Sequence, residues 1–184
     1  ETVRSRCMRV NFGGEADVQL EASDAAWLKS FVGMSAETGE GLMGRYRLLG
    51  KLMEHLAAKR DTIEETQEAA SALNRYADIE PTLREKLKEE LKASIEAEYR
   101  QQRGQFLTGL QWWLRDVWLA ALRQGRELLH FQDWADTSET VGQRLSPEQA
   151  LENLQSIEAT QRLLETTNVQ EALALEVGLL KLKL

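Results

Sequence analysis

The side chains that most often carry out catalysis are scattered through this sequence. His55 and His130 lie far apart, and neither has a second histidine or a cysteine at the spacing of metal ligands. Paired glutamates at 64–65, 89–90 and 96–98 lie in runs typical of solvated helix faces. The serines fall at helix caps or on polar faces, so no Ser-His-Asp arrangement is indicated. We therefore expect neither a metal site nor a catalytic pair of carboxylates.

A glycine-rich stretch, Gly39-Glu40-Gly41-Leu42-Met43-Gly44, matches the G-x-G-x-x-G spacing of loops that hold dinucleotide phosphates. Such a loop requires a strand before it and a helix after it. No strand pattern precedes Gly39, and the carboxylate of Glu40 would repel a phosphate. We interpret the stretch as a flexible loop that leads into a helix.

The most specific pattern is Thr2-Val3-Arg4-Ser5-Arg6-Cys7, at the front of the chain. Its Ser-Arg-Cys triplet resembles the SRC motif of AAA+ clamp-loader subunits, a family that includes bacterial DNA polymerase III gamma/tau and delta-prime and replication factor C. In that family the arginine reaches the ATP of a neighbouring subunit. The resemblance implies that Arg6 is an arginine finger acting in trans and that Ser5 fixes its loop. A planar, permanently charged guanidinium stabilises the charge that builds on a transferring phosphoryl group.

The composition predicts an all-α protein. Good helix formers dominate the long segments, and the 184 residues include only 2 prolines. One cysteine excludes a disulfide framework and suits the reducing cytoplasm, where we expect the protein to act. The net charge of −7 argues against a main role in gripping nucleic acid. Because the chain opens on Glu1 without an apolar leader, we interpret it as a fragment whose upstream part is missing.

Apolar spacing predicts a series of helices after a short extended segment over residues 1–12. The second helix is expected to bury one stripe, and its residues 61–70 are polar enough to be largely solvated. The predicted helices span about 23–33, 42–76, 82–125, 130–142, 146–168 and 169–184. The predicted stripe of the second helix is Leu42, Tyr46, Leu49, Met53, Leu56, Ile63, Ala70 and Leu73.

Two of these helices carry strong local signals. In Ser146-Pro147-Glu148-Gln149 the serine caps the helix, proline takes its first position and glutamine takes the capping-box position. The last helix, 169–184, is apolar nearly all round, so it must be buried in the protein's own core or against a partner.

The second half of the chain extends the family resemblance. The segment Trp112-Trp113-Leu114-Arg115-Asp116-Val117 is similar to the apolar WLRD helix of delta-prime subunits. A Ser-Pro capped helix follows, and then the segments 163–169 and 172–180, in the order found in the family's collar domain. The resemblance covers the first dozen residues and roughly 82–184, and it favours delta-prime over gamma/tau.

The resemblance implies three parts. Residues 1–12 would end an ATPase domain, 13–57 would form a helical lid, and 58–184 would form the collar that joins subunits. Family lids carry a Gly-Ser-x-Arg-x-Ala-Leu pattern whose arginine contacts nucleotide. The nearest stretch here contains Arg45 and Arg47 but lacks the serine and the alanine, so both arginines are weak candidates.

Trp112, Trp113, Arg115 and Trp118 are the candidate interface residues. Adjacent residues on a helix point about 100° apart, so one tryptophan of the pair can pack inside while the other meets a neighbouring subunit. The alternative is that both belong to an ordinary buried face. Arg115 and Asp116 predict either an exposed strip or an ion pair between subunits.

The resemblance implies a delta-prime-like subunit of the DNA polymerase III clamp loader. Its collar would assemble with gamma/tau and delta, and the complex would load a sliding clamp onto primed DNA. We expect no cofactor in this fragment and no hydrolysis by it alone, since the ATP would lie in a neighbouring subunit.

Two other functions fit the sequence less closely. One is a non-catalytic helical adaptor, of coiled-coil type, in which the Ser-Arg-Cys match is accidental. The other is a membrane-surface protein using the Trp-rich segment 106–122, whose polar face lacks a lysine cluster. We therefore expect no membrane partner.

Overall fold

The computed structural model describes residues 20–37, 41–75 and 80–184, and within these ranges it contains helices and no strand. This confirms the all-α prediction. The extended segment predicted for residues 1–12 lies outside the described residues. The helices are α1 Ala22–Glu37, α2 Leu42–Ala70, α3 Ala72–Arg75, α4 Pro81–Ala121, α5 Ala135–Gly142, α6 Pro147–Thr166 and α7 Glu171–Leu180, with two 3₁₀ turns at Arg126–Leu128 and Gln132–Trp134.

The 41-residue helix α4 is the central element, since α2, α5 and α6 all pack against it. Pro81 occupies its first turn, where a missing N–H costs nothing. None of its residues before Tyr99 is buried, whereas most of its large apolar residues from Phe106 to Val117 are. We call residues 81–98 the outer half of α4 and residues 99–121 its inner half. The outer half is largely solvated, and the inner half packs into the core.

α4 ends four residues before Gly125, the stop that the sequence predicts. Arg123 has a left-handed φ of 56°. The Gln124 N–H donates to the Leu119 carbonyl at 3.0 Å, and the Arg123 N–H donates to the Ala120 carbonyl at 2.9 Å. This is a Schellman ending, with arginine at the position that glycine usually fills.

One apolar core joins the two ends of the described chain. It includes residues of α1 and α2 together with α4, α6 and α7. The predicted boundary between lid and collar, at residues 57 and 58, lies inside the continuous helix α2. The structure shows no break there. The core residues with the least exposure are Phe31, Leu52, Leu110, Trp113, Val141, Ile157 and Leu175.

The buried face of α2 differs from the predicted stripe. Leu49, Leu56 and Ile63 are buried as expected, but Leu42 and Tyr46 are 60% and 45% exposed. The buried stripe instead runs through Leu48, Leu49, Leu52, Leu56, Lys59 and Ile63. The sequence pattern therefore identified part of the buried face, and it missed Leu48, Leu52 and Lys59.

The capping box of α6 is confirmed. The Ser146 Oγ accepts from the Gln149 N–H at 3.3 Å, and the Gln149 Oε1 accepts from the Ser146 N–H at 3.0 Å.

Helix α7 is shorter than predicted and buries one face only, because Leu173 and Val177 are 52% and 48% exposed. Among the described residues, no helix has both the length and the apolar character needed to cross a membrane.

Gly142 allows α5 to approach α4 closely. A Cβ built there would lie 2.9 Å from the Ala121 nitrogen and 3.0 Å from the Val117 carbonyl oxygen. These are backbone atoms of a helix and cannot move aside cheaply. We expect Gly142→Ala to lower the free energy of unfolding by about 1–3 kcal/mol in urea titrations.

The control is Gly33→Ala in α1, where a Cβ meets nothing within 4 Å. That change is expected to stabilise the protein by up to about 1 kcal/mol, because alanine favours a helix interior over glycine. Equal effects of the two substitutions would contradict the close approach.

Candidate functional site

The candidate residues from the sequence lie in three places. Ser5 and Arg6 are outside the described residues. Arg45, in the first turn of α2, donates from Nη1 to the Leu180 carbonyl at 2.7 Å and so ties α2 to the end of α7. Arg47 is exposed on α2. In this structure Arg45 has a structural role, and nucleotide contact by either arginine stays a prediction.

The adjacent tryptophans of α4 point to different environments. Trp113 is fully buried and contacts the ring of Phe31 edge-on at 5.7 Å, so it is a core residue and not an interface residue. Trp112 is half-buried. Its ring stacks on that of His130, with the two ring centroids 4.8 Å apart. The Arg115 Cζ atom lies over the Trp112 ring, 5.1 Å from its centroid. We call Trp112, Arg115 and His130 the aromatic surface.

The aromatic surface borders a shallow cavity. Its volume is about 240 Å³, and Leu154 of α6 forms its far wall. Trp118 lies six residues beyond Trp112 on α4 and is half-buried against the core. An interface role for Trp112, Arg115 and Trp118 stays a prediction, and all three are at least partly accessible.

Asp116 fixes the loop that completes this surface. Its side chain is fully buried. Oδ1 accepts from the His130 N–H at 2.9 Å, and Oδ2 accepts from the Phe131 N–H at 2.8 Å. Burial raises the pKa of Asp116 above its ordinary range, although these two N–H groups and the charge of Arg115 oppose the rise. The predicted exposed strip or intersubunit ion pair is therefore wrong for Asp116, which anchors a loop within the chain.

We expect Asp116→Asn to lower the free energy of unfolding by about 1–3 kcal/mol, because an amide presents one acceptor oxygen to two buried N–H groups. Urea titration measures the change. The matched control is Asp133→Asn, in the same loop but exposed, for which the change stays within about 0.5 kcal/mol. A change at Asp116 as small as the one at Asp133 would show that the loop does not depend on this carboxylate.

A second polar cluster is buried between α1, α2 and α4. Asp24 is 2% exposed, and its Oδ1 lies 2.7 Å from His55 Nε2 and 3.1 Å from Lys59 Nζ. Lys59 also donates to Glu21 Oε2 at 2.9 Å and to Gln102 Oε1 at 3.3 Å. We call Asp24, His55 and Lys59 the buried ionic cluster.

Aromatic rings cover one side of the buried ionic cluster. The His55 ring lies 5.6 Å from that of Trp27 and 5.0 Å from that of Phe106. Burial lowers the pKa of Lys59, but hydrogen bonds and charges from Glu21 and Asp24 outweigh it and leave the pKa raised. The amine is therefore a charged ammonium at neutral pH.

The sequence pattern does not connect the three residues of this cluster: it raises His55 only as a possible metal ligand, and it does not single out Asp24 or Lys59. The available signal was the position of Lys59, three residues after Leu56 and four before Ile63, within a buried spacing. Among the described residues, no group of three or more His, Cys, Asp or Glu side chains converges as metal ligands would.

Comparison with family models, curated proteins and solved structures finds no match for this chain.

Proposed function

We propose that this chain belongs to a delta-prime-like subunit of a bacterial DNA polymerase III clamp loader and acts in the cytoplasm. The observation that carries the proposal is the Ser5-Arg6-Cys7 triplet, followed in the family's order by the Trp-Leu-Arg-Asp helix and the Ser-Pro capped helix. The all-helical fold supports it, because a collar is a helical domain.

In this function the helical body is a frame for assembly. Its aromatic surface lies at the solvent boundary of α4 and offers the tryptophan and arginine side chains that are enriched at interface hot spots. Different faces of successive subunits would meet, which suits an open ring. The net charge of −7 favours protein partners over direct binding of DNA by this part.

Arg6 would supply the catalytic contribution. Its guanidinium would stabilise charge on the phosphoryl group of the ATP held by an adjacent gamma/tau subunit. Closure of the subunits around ATP would be coupled to opening the sliding clamp and loading it onto primed DNA. This chain would hydrolyse no ATP alone.

Assembly tests the proposal directly. The intact protein is mixed with gamma/tau and delta subunits, and complexes are measured by size-exclusion chromatography with light scattering. We expect a stable complex, and we expect Trp112→Ala to weaken it by about tenfold or more. Leu83→Ala, on the outer half of α4 and 49% exposed, is the control that should leave assembly unchanged. Absence of any complex would reject the clamp-loader proposal.

A helical adaptor is the second candidate, and one observation favours it. The second half of α2 lies beside the outer half of α4, as in a two-helix hairpin, and an ion pair between Arg60 and Glu96 joins them. An adaptor would also form complexes, but its activity would not depend on Arg6.

A further inference from the structure

A cavity of about 390 Å³ lies between the start of α1, the middle of α2 and the middle of α4. Much of its wall is aliphatic, formed by Ala58 and Ile63 and by the methyl groups of Thr62 and Thr66. Small-molecule sites have volumes in this range and combine apolar walls with a few placed polar groups. The clamp-loader proposal gives this cavity no role.

The polar groups of the cavity form a chain of hydrogen bonds with a carboxylate at each end. Lys59 Nζ donates to Glu21 Oε2 and to Gln102 Oε1. Gln102 Nε2 in turn donates to Glu98 Oε1 at 2.7 Å. All four side chains line the cavity. The hydrogen bonds through Lys59 and Gln102 connect Glu21 to Glu98 and so relate the positions of the two carboxylates.

The Lys59 ammonium has no capacity left for a ligand. An ammonium has three N–H groups, and here they face Glu21, Gln102 and Asp24. The two end carboxylates differ in this respect. Glu21 and Glu98 each accept through one oxygen within the described part of the chain, and a carboxylate has about four acceptor sites.

The charge around the cavity therefore selects the sign of a ligand. An anion would meet the carboxylates of Glu21 and Glu98 and an ammonium whose N–H groups are already used. A cation would meet two carboxylates with acceptor sites to offer. The aliphatic walls favour a ligand that carries a carbon chain beside its positive charge, because burying apolar surface there is favourable.

We propose that this cavity binds a small aliphatic ammonium compound, an alkylamine or a diamine. Its ammonium group donates to Glu98, Glu21 adds a second negative charge to the cavity wall, and its carbon chain packs against Ala58 and Ile63. The buried ionic cluster lies at the base of the site, where Lys59 positions Glu21 and Gln102 by donating a hydrogen bond to each. The site does not depend on the proposed clamp-loader function.

The probe is 1,4-diaminobutane, titrated at constant pH and low ionic strength while NMR follows the ring protons of His55, which lines the cavity. The chain has 2 histidines, so a His130→Gln variant assigns the signals. We expect a saturable shift with a dissociation constant of roughly 1 mM. The uncharged analogue 1,4-butanediol should cause no saturable shift at the same concentrations.

A matched pair of variants tests the carboxylate. Glu98→Gln keeps the side-chain shape and is expected to weaken diamine binding about tenfold, the effect of losing one charged hydrogen bond. Glu96→Gln is the control, because Glu96 is two residues away and pairs with Arg60 and Arg100 instead. The proposal is overturned by the absence of a saturable shift, by equal binding of diamine and diol, or by equal losses in the two variants.

Discussion

Lys59→Met is expected to lower the free energy of unfolding by about 3–5 kcal/mol, a substantial part of the roughly 5–15 kcal/mol that stabilises a typical domain. The Lys59 and Asp24 side chains are 5% and 3% exposed, and they face each other at 3.1 Å. Removing the ammonium leaves the Asp24 carboxylate buried with His55 as its remaining partner. Urea titration followed by tryptophan fluorescence measures the loss.

A double substitution separates the cost of an unpaired charge from the cost of lost packing. Lys59→Met combined with Asp24→Asn removes both charges, and we expect it to recover most of the stability that Lys59→Met loses. Lys51→Met, on the same helix with its side chain 57% exposed, is the control and should change stability by less than about 0.5 kcal/mol. If Lys59→Met behaved like Lys51→Met, the ionic cluster would contribute nothing to the fold.

Arg6→Ala in the intact protein is expected to slow ATP hydrolysis at the neighbouring site by about 10³-fold or more. Loss of an arginine finger has effects of this order because charge on the transferring phosphoryl group is no longer stabilised. DNA-stimulated ATPase and clamp loading are measured on the reconstituted loader, and chromatography is expected to show that the complex still assembles.

Arg9→Ala is the matched control for Arg6, since it removes an equal charge three residues away and lies outside the triplet. It should leave hydrolysis and loading near the wild-type rates. An assembled loader that hydrolyses ATP and loads clamps normally without Arg6 would reject the finger and favour the adaptor function.

Local signals predicted the helices well where those signals were strong. The start of α6 follows from Ser146 and Gln149, because a cap acts on the nearest turn of backbone, and the predicted start of the long helix at residue 82 is one residue from the observed start of α4 at Pro81. The end of α4 was missed because Arg123 adopts a conformation that a sequence usually marks with glycine.

Orientation was harder to predict than helix position. The pattern in α2 pointed to Leu42 and Tyr46, yet these are exposed because packing against α1, α4 and α7 selects the face that contains Lys59. Periodicity places Lys59 within a buried spacing, but it cannot show that the charge is matched there, since the carboxylates of Glu21 and Asp24 come from another part of the chain. In the same way, the spacing of Trp112 and Trp113 predicts that their rings diverge but not which one enters the core.

The buried polar groups depend on contacts between distant parts of the chain. Asp24 and His55 are 31 residues apart, and Asp116 meets backbone groups 14 and 15 residues further on. No short motif describes such pairs, so only the folded chain brings them together.

The uneven burial of α4 has a consequence for how the protein moves. None of its residues before Tyr99 is buried, while most of its large apolar residues from Phe106 to Val117 lie in the core. The amide protons of the outer half should therefore exchange with solvent quickly, through local opening of the helix. Those of the inner half should exchange far more slowly, because their exchange requires global unfolding. A single continuous helix would therefore combine a first part that opens locally with a later part that opens only when the whole protein unfolds.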